Sequence, residues 1–225
     1  MTATLIVSPP VLAGNVVLVY GDSLSAGFGI RVDQSWPALL DERLQKTTLV
    51  ATSGDCRICK ADPLCKRKAM LCETPVPSPS WTVANASISG ETTAGGRSRF
   101  AAALGRVKPK VVIIALGAND GLRGLPVAQI QDNLTAMIKL AKAAKARVLL
   151  VGMRMPPNYG PVYTHDFEQT FVAVAKQQKV ALLPFLLAPI AGQREAFQAD
   201  GLHPIAAMQG KILEHVYPAL APLLK

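Results

Sequence analysis

An apolar run that ends in a glycine, an acid and a serine constrains the fold of this chain more than any other stretch. Residues 17–20 are consecutive, apolar and β-prone, as in a strand that is buried on both faces. Gly21 permits a tight turn, and small residues after Ser23 leave space around its hydroxyl. Because open α/β sheets bind ligands at the carboxyl ends of their strands, the run predicts a functional edge at Ser23. The alternative is a plain turn in which Asp22 and Ser23 only cap the next helix.

Strand-like and helix-like segments alternate along the rest of the chain. Apolar β-prone runs lie at 47–51, 81–85, 111–116, 147–151 and 180–183. Helical periodicity follows at 36–45, with Ser35 as its cap, and then at 97–104, 126–145, 165–178 and 206–216. Alternating strands and helices form right-handed crossovers around a parallel sheet. The pattern therefore predicts one α/β domain over residues 15–225, interrupted by one insert.

The insert, at about residues 52–80, shows neither strand-like nor helix-like periodicity of apolar residues. It holds all the cysteines: Cys56, Cys59, Cys65 and Cys72. In an exported protein an even number of cysteines in such a segment indicates two disulfides, whose pairing the sequence leaves open. A four-cysteine zinc site is the alternative for a cytosolic protein, although only one Cys-x2-Cys pair is present. We favour disulfides. The insert either reaches the rim of the functional site or forms a partner-binding lobe.

Residues 1–14 are apolar, carry no charged side chain and end in small residues. They are typical of the end of a secretory signal peptide, but the basic amino-terminal part is missing. We therefore expect a leader remnant and a periplasmic or secreted protein, with a cytoplasmic protein as the alternative. No apolar run approaches the roughly 18–20 residues that a membrane-spanning helix needs, so we expect no integral membrane segment.

The formal net charge of +9 favours attraction to anionic partners such as phospholipid headgroups, acyl-CoA phosphates or nucleic acid. The basic residues are dispersed, however, with their densest cluster at 66–68, and no basic stripe is interleaved with aromatics. We interpret the charge as an aid to solubility and expect no nucleic-acid partner. The oligomeric state is left open.

Four sequence blocks, in order, carry a resemblance to a known family: GDSLSAG at 21–27, NASISGETT at 85–93, GANDGLRG at 117–124 and DGLHP at 200–204. A less diagnostic block is PPNYG at 156–160. The chain resembles the SGNH/GDSL hydrolases, and within them the broad-specificity group of thioesterases, lysophospholipases and arylesterases. The resemblance covers residue 17 to the end, except the cysteine insert. It implies a flavodoxin-like three-layer α/β/α sandwich with a central parallel sheet, and an enzyme that needs no cofactor or metal.

The resemblance also implies a role for individual residues. Ser23 is the expected nucleophile, His203 its base, and Asp200 the residue that orients the imidazole. The backbone N–H groups of Ser23 and Gly90 and the side-chain amide of Asn119 form the expected oxyanion hole. Such a site hydrolyses short- to medium-chain acyl esters, and also thioesters and lysophospholipids, through an acyl-enzyme.

Two loops beside these blocks hold the candidate substrate-binding residues: Gly121, Leu122, Met155, Pro157 and Tyr159. Residues 121–126 form either a mobile flap beside the acyl group or a rigid packed loop. The second loop supplies the acyl groove, since methionine adapts to varied chains, unless it too is only packed surface. Two other functions stay open: a binding module that uses the cysteine insert on a hydrolase-like scaffold, and a carbohydrate acetylesterase. The low aromatic content of 5% disfavours the second, because sugar platforms are rich in aromatics.

Overall fold

Five parallel strands form the centre of the computed structural model, which describes residues 15–52 and 80–225. The strands are β1 (Asn15–Gly21), β2 (Trp81–Asn85), β3 (Val111–Ala115), β4 (Arg147–Val151) and β5 (Ala181–Leu183). Their order in the sheet is β2-β1-β3-β4-β5, and all four pairings are parallel. The strand that leads to Ser23 therefore lies inside the sheet, between β2 and β3.

The helices connect successive strands and cover the sheet. They are α1 (Ser23–Ala26), α2 (Trp36–Thr52), α3 (Thr93–Val107), α4 (Ala118–Leu122), α5 (Val127–Ala143), α6 (Pro161–Gln178) and α7 (Gln209–Leu220). Short 3₁₀ turns lie at Val32–Gln34, Pro157–Tyr159, Ala188–Ile190, Arg194–Ala196, Ala206–Met208 and Ala221–Leu224. None of the helices in the described ranges is long and apolar enough to cross a membrane.

Alternate residues of the central strands enter two separate cores. Val17 and Val19 pack with α2 and α7 on one face, whereas Leu18 and Tyr20 pack with α3, α5 and α6 on the other. Residues 17–20 have no solvent exposure, as a strand covered on both faces requires. This arrangement confirms the predicted single-domain α/β/α sandwich with a central parallel sheet.

One local prediction is wrong, and a second holds only in part. Residues 47–51 continue helix α2 and do not form a strand. The β-branched residues in that run lower helix propensity by only a few tenths of a kcal/mol each, so a helix already under way continues through them. Ser35 directly precedes α2, but its side chain accepts no hydrogen bond from the first turn among the described residues; its hydroxyl donates to the carbonyl of Val32 at 2.7 Å. The side chain of Gln209, on α7, accepts the hydrogen bond from the Trp36 N–H at 3.0 Å.

The predictions for the apolar leader at 1–14 and for Cys56, Cys59, Cys65 and Cys72 lie outside the described residues. Among residues 15–52 and 80–225, which the structure describes, no group of three or more histidine, cysteine or acidic side chains is placed to hold a metal ion.

Candidate active site

Ser23 begins helix α1, with one residue between it and the end of strand β1. The carboxylate of Asp22 caps this helix by accepting the Leu24 N–H at 3.0 Å. At Gly21 a Cβ atom would lie 2.9 Å from Ser25 Oγ and 3.0 Å from Ala115 O, so only glycine fits this turn. The tight turn and the cap together present the Ser23 hydroxyl at the carboxyl edge of the sheet.

His203 is hydrogen-bonded to both of its expected partners. Its Nε2 lies 2.8 Å from Ser23 Oγ, and its Nδ1 lies 2.7 Å from Asp200 Oδ2. The hydrogen bond from the His203 side chain, followed by the N–H groups of His203 and Leu202, lowers the pKa of Asp200 to about 2. An ionised carboxylate only accepts, so in the neutral imidazole the proton belongs on Nδ1 and Nε2 is left to accept the serine proton.

A short paired segment presents the acid and the base. Phe197 and Pro204 form an antiparallel bridge, and the Gln198 N–H donates to the His203 carbonyl at 2.8 Å. The Arg194 guanidinium donates to three successive carbonyls, those of Phe197, Gln198 and Ala199. Backbone bonds and the Arg194 side chain therefore fix the turn on which Asp200 and His203 approach each other.

The three expected oxyanion donors line one cavity with the serine. Gly90 has a φ of +79°, and a Cβ atom there would meet nothing within 4 Å, so the backbone conformation and not space selects glycine. Asn119 Nδ2 donates one hydrogen to the Glu91 carbonyl at 3.0 Å, which leaves the second for a ligand. Among the described residues, the N–H groups of Ser23 and Gly90 have no acceptor.

The cavity has a volume of about 670 Å³ and is lined mainly by apolar side chains. Leu122, Met155 and Pro157 belong to its wall, as the sequence suggests. Gly121 and Tyr159 lie behind the wall. A Cβ atom at Gly121 would lie 2.4 Å from Met155 Sδ, and the Tyr159 hydroxyl donates to the Leu122 carbonyl at 3.0 Å.

Several wall residues escape the sequence patterns: Phe28, Phe185, Leu187, Phe197 and Leu202. They come from loops and from the residues that flank 3₁₀ turns, where apolar residues follow no period. Position in the sequence is the available signal for two of them, since Phe28 directly follows the serine block and Leu202 lies within the histidine block.

Residues 121–126 comprise the end of α4 and a packed loop after it. The Leu125 N–H donates to the Asp120 carbonyl at 3.0 Å, and the Tyr163 hydroxyl donates to the Leu125 carbonyl at 2.8 Å. With the bond from Tyr159 to Leu122, two tyrosines of the neighbouring segment hold the loop.

Two buried acids lie beside the site without lining it: Asp22 and Asp120. Burial raises the pKa of Asp22 to about 7, with a smaller contribution from the charge of Asp120. Burial also raises the pKa of Asp120, although hydrogen bonds from Thr93 oppose the shift. Asp22 makes the cap hydrogen bond that the sequence suggests, whereas Asp120 accepts from Thr93, 27 residues away in the chain. The remaining histidines do not line the cavity: His165 is exposed, and His215 Nε2 lies 2.9 Å from the Phe185 carbonyl oxygen.

Known proteins share both the sequence and the fold. Residues 19–210 match the model of the GDSL-like lipase/acylhydrolase family. Esterase TesA of Pseudomonas aeruginosa is 43% identical over 212 residues, which cover 94% of this chain and 90% of that protein. The thioesterase 1/protease 1/lysophospholipase L1 of Escherichia coli is 33% identical, with 94% and 86% covered.

A solved relative is the psychrotrophic esterase EstA from Pseudoalteromonas sp., in a crystal structure inhibited by monoethylphosphonate. It superposes with a TM-score of 0.77 at 33% identity and covers 93% of this chain and 98% of its own. Fold, block order and sequence similarity agree, and this chain belongs to the GDSL-like lipase/acylhydrolase family.

Proposed function

We propose that this protein is a serine esterase that hydrolyses short- to medium-chain acyl esters through an acyl-enzyme. The observation that carries the proposal is the hydrogen-bonded series Asp200–His203–Ser23 at the wall of the apolar cavity. A serine hydroxyl is a weak nucleophile until a base accepts its proton, and His203 Nε2 lies at hydrogen-bond distance from it.

In the first half-reaction, Ser23 Oγ attacks the acyl carbonyl and its proton passes to His203 Nε2. The ionised Asp200 stabilises the imidazolium through Nδ1–H. The negative oxygen of the tetrahedral intermediate accepts hydrogen bonds from the Ser23 and Gly90 N–H groups and the Asn119 amide. His203 then protonates the leaving alcohol or thiol. Water repeats the sequence on the acyl-enzyme and releases the acid.

The cavity supports acyl chains as substrates. Its volume lies within the roughly 300–1,000 Å³ range of small-molecule sites, and Leu122, Met153 and Met155 give it an apolar wall near the oxyanion donors. We include thioesters and lysophospholipids in the proposed range because an Escherichia coli relative carries the names thioesterase 1 and lysophospholipase L1. Either substrate presents the same acyl carbonyl to Ser23, with a thiol or a glycerol oxygen as the leaving group.

The first test is hydrolysis of p-nitrophenyl esters from acetate to dodecanoate by wild type, Ser23→Ala and Ser89→Ala. Ser89 also lines the cavity but forms no bond with His203, so it is a matched control. We expect Ser23→Ala to lose at least about 10⁴-fold in kcat, as removal of a triad serine does, and Ser89→Ala to stay within a few-fold of wild type. A folded Ser23→Ala protein with wild-type turnover would refute the mechanism.

We also propose a periplasmic or secreted protein in which residues 15–225 form one hydrolase domain with an insert at about 52–80. The even number of cysteines in that segment supports the proposal. Mass spectrometry of unreduced peptides from protein recovered without thiol reagents tests it. Disulfide-linked pairs among Cys56, Cys59, Cys65 and Cys72 are expected, and four free or zinc-bound thiols would contradict it.

A further inference from the structure

The two oxyanion donors other than Ser23 come from separate parts of the chain. Gly90 lies in the loop before α3, and Asn119 lies in α4 after the next strand. Donors act on an oxyanion only when they lie about 2.7–3.1 Å from the position that it occupies, so the separation of these segments must be fixed.

Asp120 joins the two segments through buried hydrogen bonds. Its Oδ2 accepts the Thr93 N–H at 2.8 Å, and its Oδ1 accepts the Thr93 Oγ1–H at 2.5 Å. Thr93 has no solvent exposure and Asp120 has 1%. Because Asp120 follows Asn119 directly and Thr93 begins the helix after Gly90, this pair connects the elements that carry the two donors.

A chain of donors fixes the direction of these bonds. Asn133 Nδ2 donates to Thr93 Oγ1 at 3.1 Å, and Asn133 Oδ1 accepts from Arg97 at 3.2 Å. The Thr93 hydroxyl therefore receives one hydrogen bond from α5 and gives its own proton to Asp120. A group that only accepts, an ionised carboxylate, suits the Asp120 position.

A second connection lies on the other side of Asn119. Its amide donates to the Glu91 carbonyl, and the Glu91 carboxylate pairs with Arg99 at 2.5 Å. Arg99 also donates to the Ala86 carbonyl at 2.8 Å and lies over the Tyr20 ring. The loop that carries Gly90 is thus bonded to α4 at Glu91 and again at Thr93.

We propose that Asp120 is a positioning residue that acts through Thr93 to hold the Gly90 N–H and the Asn119 amide at the separation that the oxyanion requires. The proposal rests on the proposed esterase function. It assigns Asp120 a contribution to the rate without contact between its carboxylate and the substrate.

Asp120→Asn tests the proposal with almost no change in shape. An amide at this position turns one acceptor into a donor, so in either orientation of the amide the Thr93 N–H or the Thr93 hydroxyl loses its acceptor. Thr93→Val removes the hydroxyl at nearly constant shape, whereas Thr93→Ser keeps the hydroxyl and removes only the methyl group. Asp132→Asn, on the exposed side of α5, is the matched control for the acid-to-amide change.

The measurements are kcat and KM for p-nitrophenyl butyrate and the dissociation constant of butylboronic acid, whose serine adduct mimics the tetrahedral intermediate. We expect Asp120→Asn and Thr93→Val to lower kcat about 10- to 100-fold, with KM within about threefold, because the lost interaction acts on the transition state. Boronic acid affinity falls in parallel. Thr93→Ser recovers most of the rate, and Asp132→Asn equals wild type.

Combination with Asn119→Ala separates positioning from a general loss of structure. If Asp120 acts through the oxyanion donors, Asp120→Asn slows the Asn119→Ala enzyme much less than it slows wild type. Equal slowing in both backgrounds would overturn the proposal, as would wild-type kcat in folded Thr93→Val. Thermal unfolding shows which variants fold. If Asp120→Asn does not fold, Thr93→Val tests the same interaction.

The wild-type and Ser23→Ala enzymes are measured in the same series. A wild type without serine-dependent turnover refutes the esterase function. If the wild type is active and Asp120→Asn and Thr93→Val have the same kcat as wild type, only the positioning role is refuted.

Discussion

The side-chain amide of Gln198 donates a hydrogen bond to the carbonyl of Phe28 at 2.8 Å, across 170 residues of sequence. The same Nε2 donates to the Pro204 carbonyl at 3.2 Å. One amide therefore connects the loop after the nucleophile with the segment after the base. The Phe28 ring also lies against the His203 imidazole, with centroids 4.4 Å apart. Contacts of Gln198 and Phe28, which lie outside the triad, thus help to hold His203 close to Ser23.

Gln198→Ala is expected to lower kcat about tenfold, because loss of this connection loosens the approach of His203 to Ser23 and misplacement of a catalytic group by 1 Å costs up to about 100-fold. The measurement is steady-state hydrolysis of p-nitrophenyl butyrate. Gln129→Ala, at an exposed position early in α5, is the control for loss of a glutamine side chain. Unchanged kcat in Gln198→Ala would show that backbone bonds alone hold the histidine.

The triad residues are expected to differ in importance. Ser23→Ala abolishes turnover and His203→Ala nearly does so, whereas Asp200→Ala retains more activity because the oxyanion donors and the base remain. Single-turnover assays of carefully purified proteins give the order. Equal residual rates for Ser23→Ala and Asp200→Ala would contradict it.

Gly121→Ala is expected to shorten the preferred acyl chain. Its new Cβ would lie 2.4 Å from Met155 Sδ and 2.8 Å from Phe167 Cε2, and Met155 has the cavity on its other side. We expect kcat/KM for decanoate to fall at least about tenfold while acetate changes little, because the displaced thioether occupies the acyl space. Gly124→Ala is the comparison, since nothing lies within 4 Å of a Cβ atom there, although its φ of +62° strains an alanine. A parallel loss for both esters in Gly121→Ala would indicate general damage instead.

The buried Asp22 predicts a specific dependence of stability on pH. Its folded-state pKa of about 7 exceeds the ordinary value of 3.8, so between these values the folded state binds more protons than the unfolded state. The carboxyl therefore destabilises the fold increasingly as the pH rises from about 4 to above 7. Asp22→Asn removes this dependence and keeps an acceptor for the Leu24 N–H. We expect the Tm of Asp22→Asn minus the Tm of wild type to increase between pH 5 and pH 8. A difference that does not change with pH would contradict a raised pKa of Asp22.

The sequence predicted the site better than it predicted the details that support it. Ser23, Asp200 and His203 lie in blocks whose local spacing already encodes the turn that presents each side chain, and the structure brings them into contact. Partners far apart in sequence leave no such signal. Nothing around Ser35 indicates that the Gln209 side chain accepts a hydrogen bond from the Trp36 N–H, and nothing around Phe28 indicates that the Gln198 side chain donates to its carbonyl.

The misassigned stretch at 47–51 has a different cause. A short apolar run with β-branched residues is compatible with either a strand or the last turns of a helix, and periodicity alone does not separate the two. The structure places it in α2, which starts at Trp36. Gly121 and Tyr159 are near cavity-lining residues in the sequence, but they lie one layer behind the wall. The side chains of Met155 and Leu122 form the wall in front of them.

The distance of 180 residues between Ser23 and the histidine that activates it has a consequence for biosynthesis. A nascent chain carries its nucleophile long before the base and its aspartate emerge, because Ser23 precedes His203 by 180 residues. The same holds for Gln209, on which the start of α2 depends. We therefore expect triad-dependent hydrolysis to begin only when the segments from both parts of the chain have met.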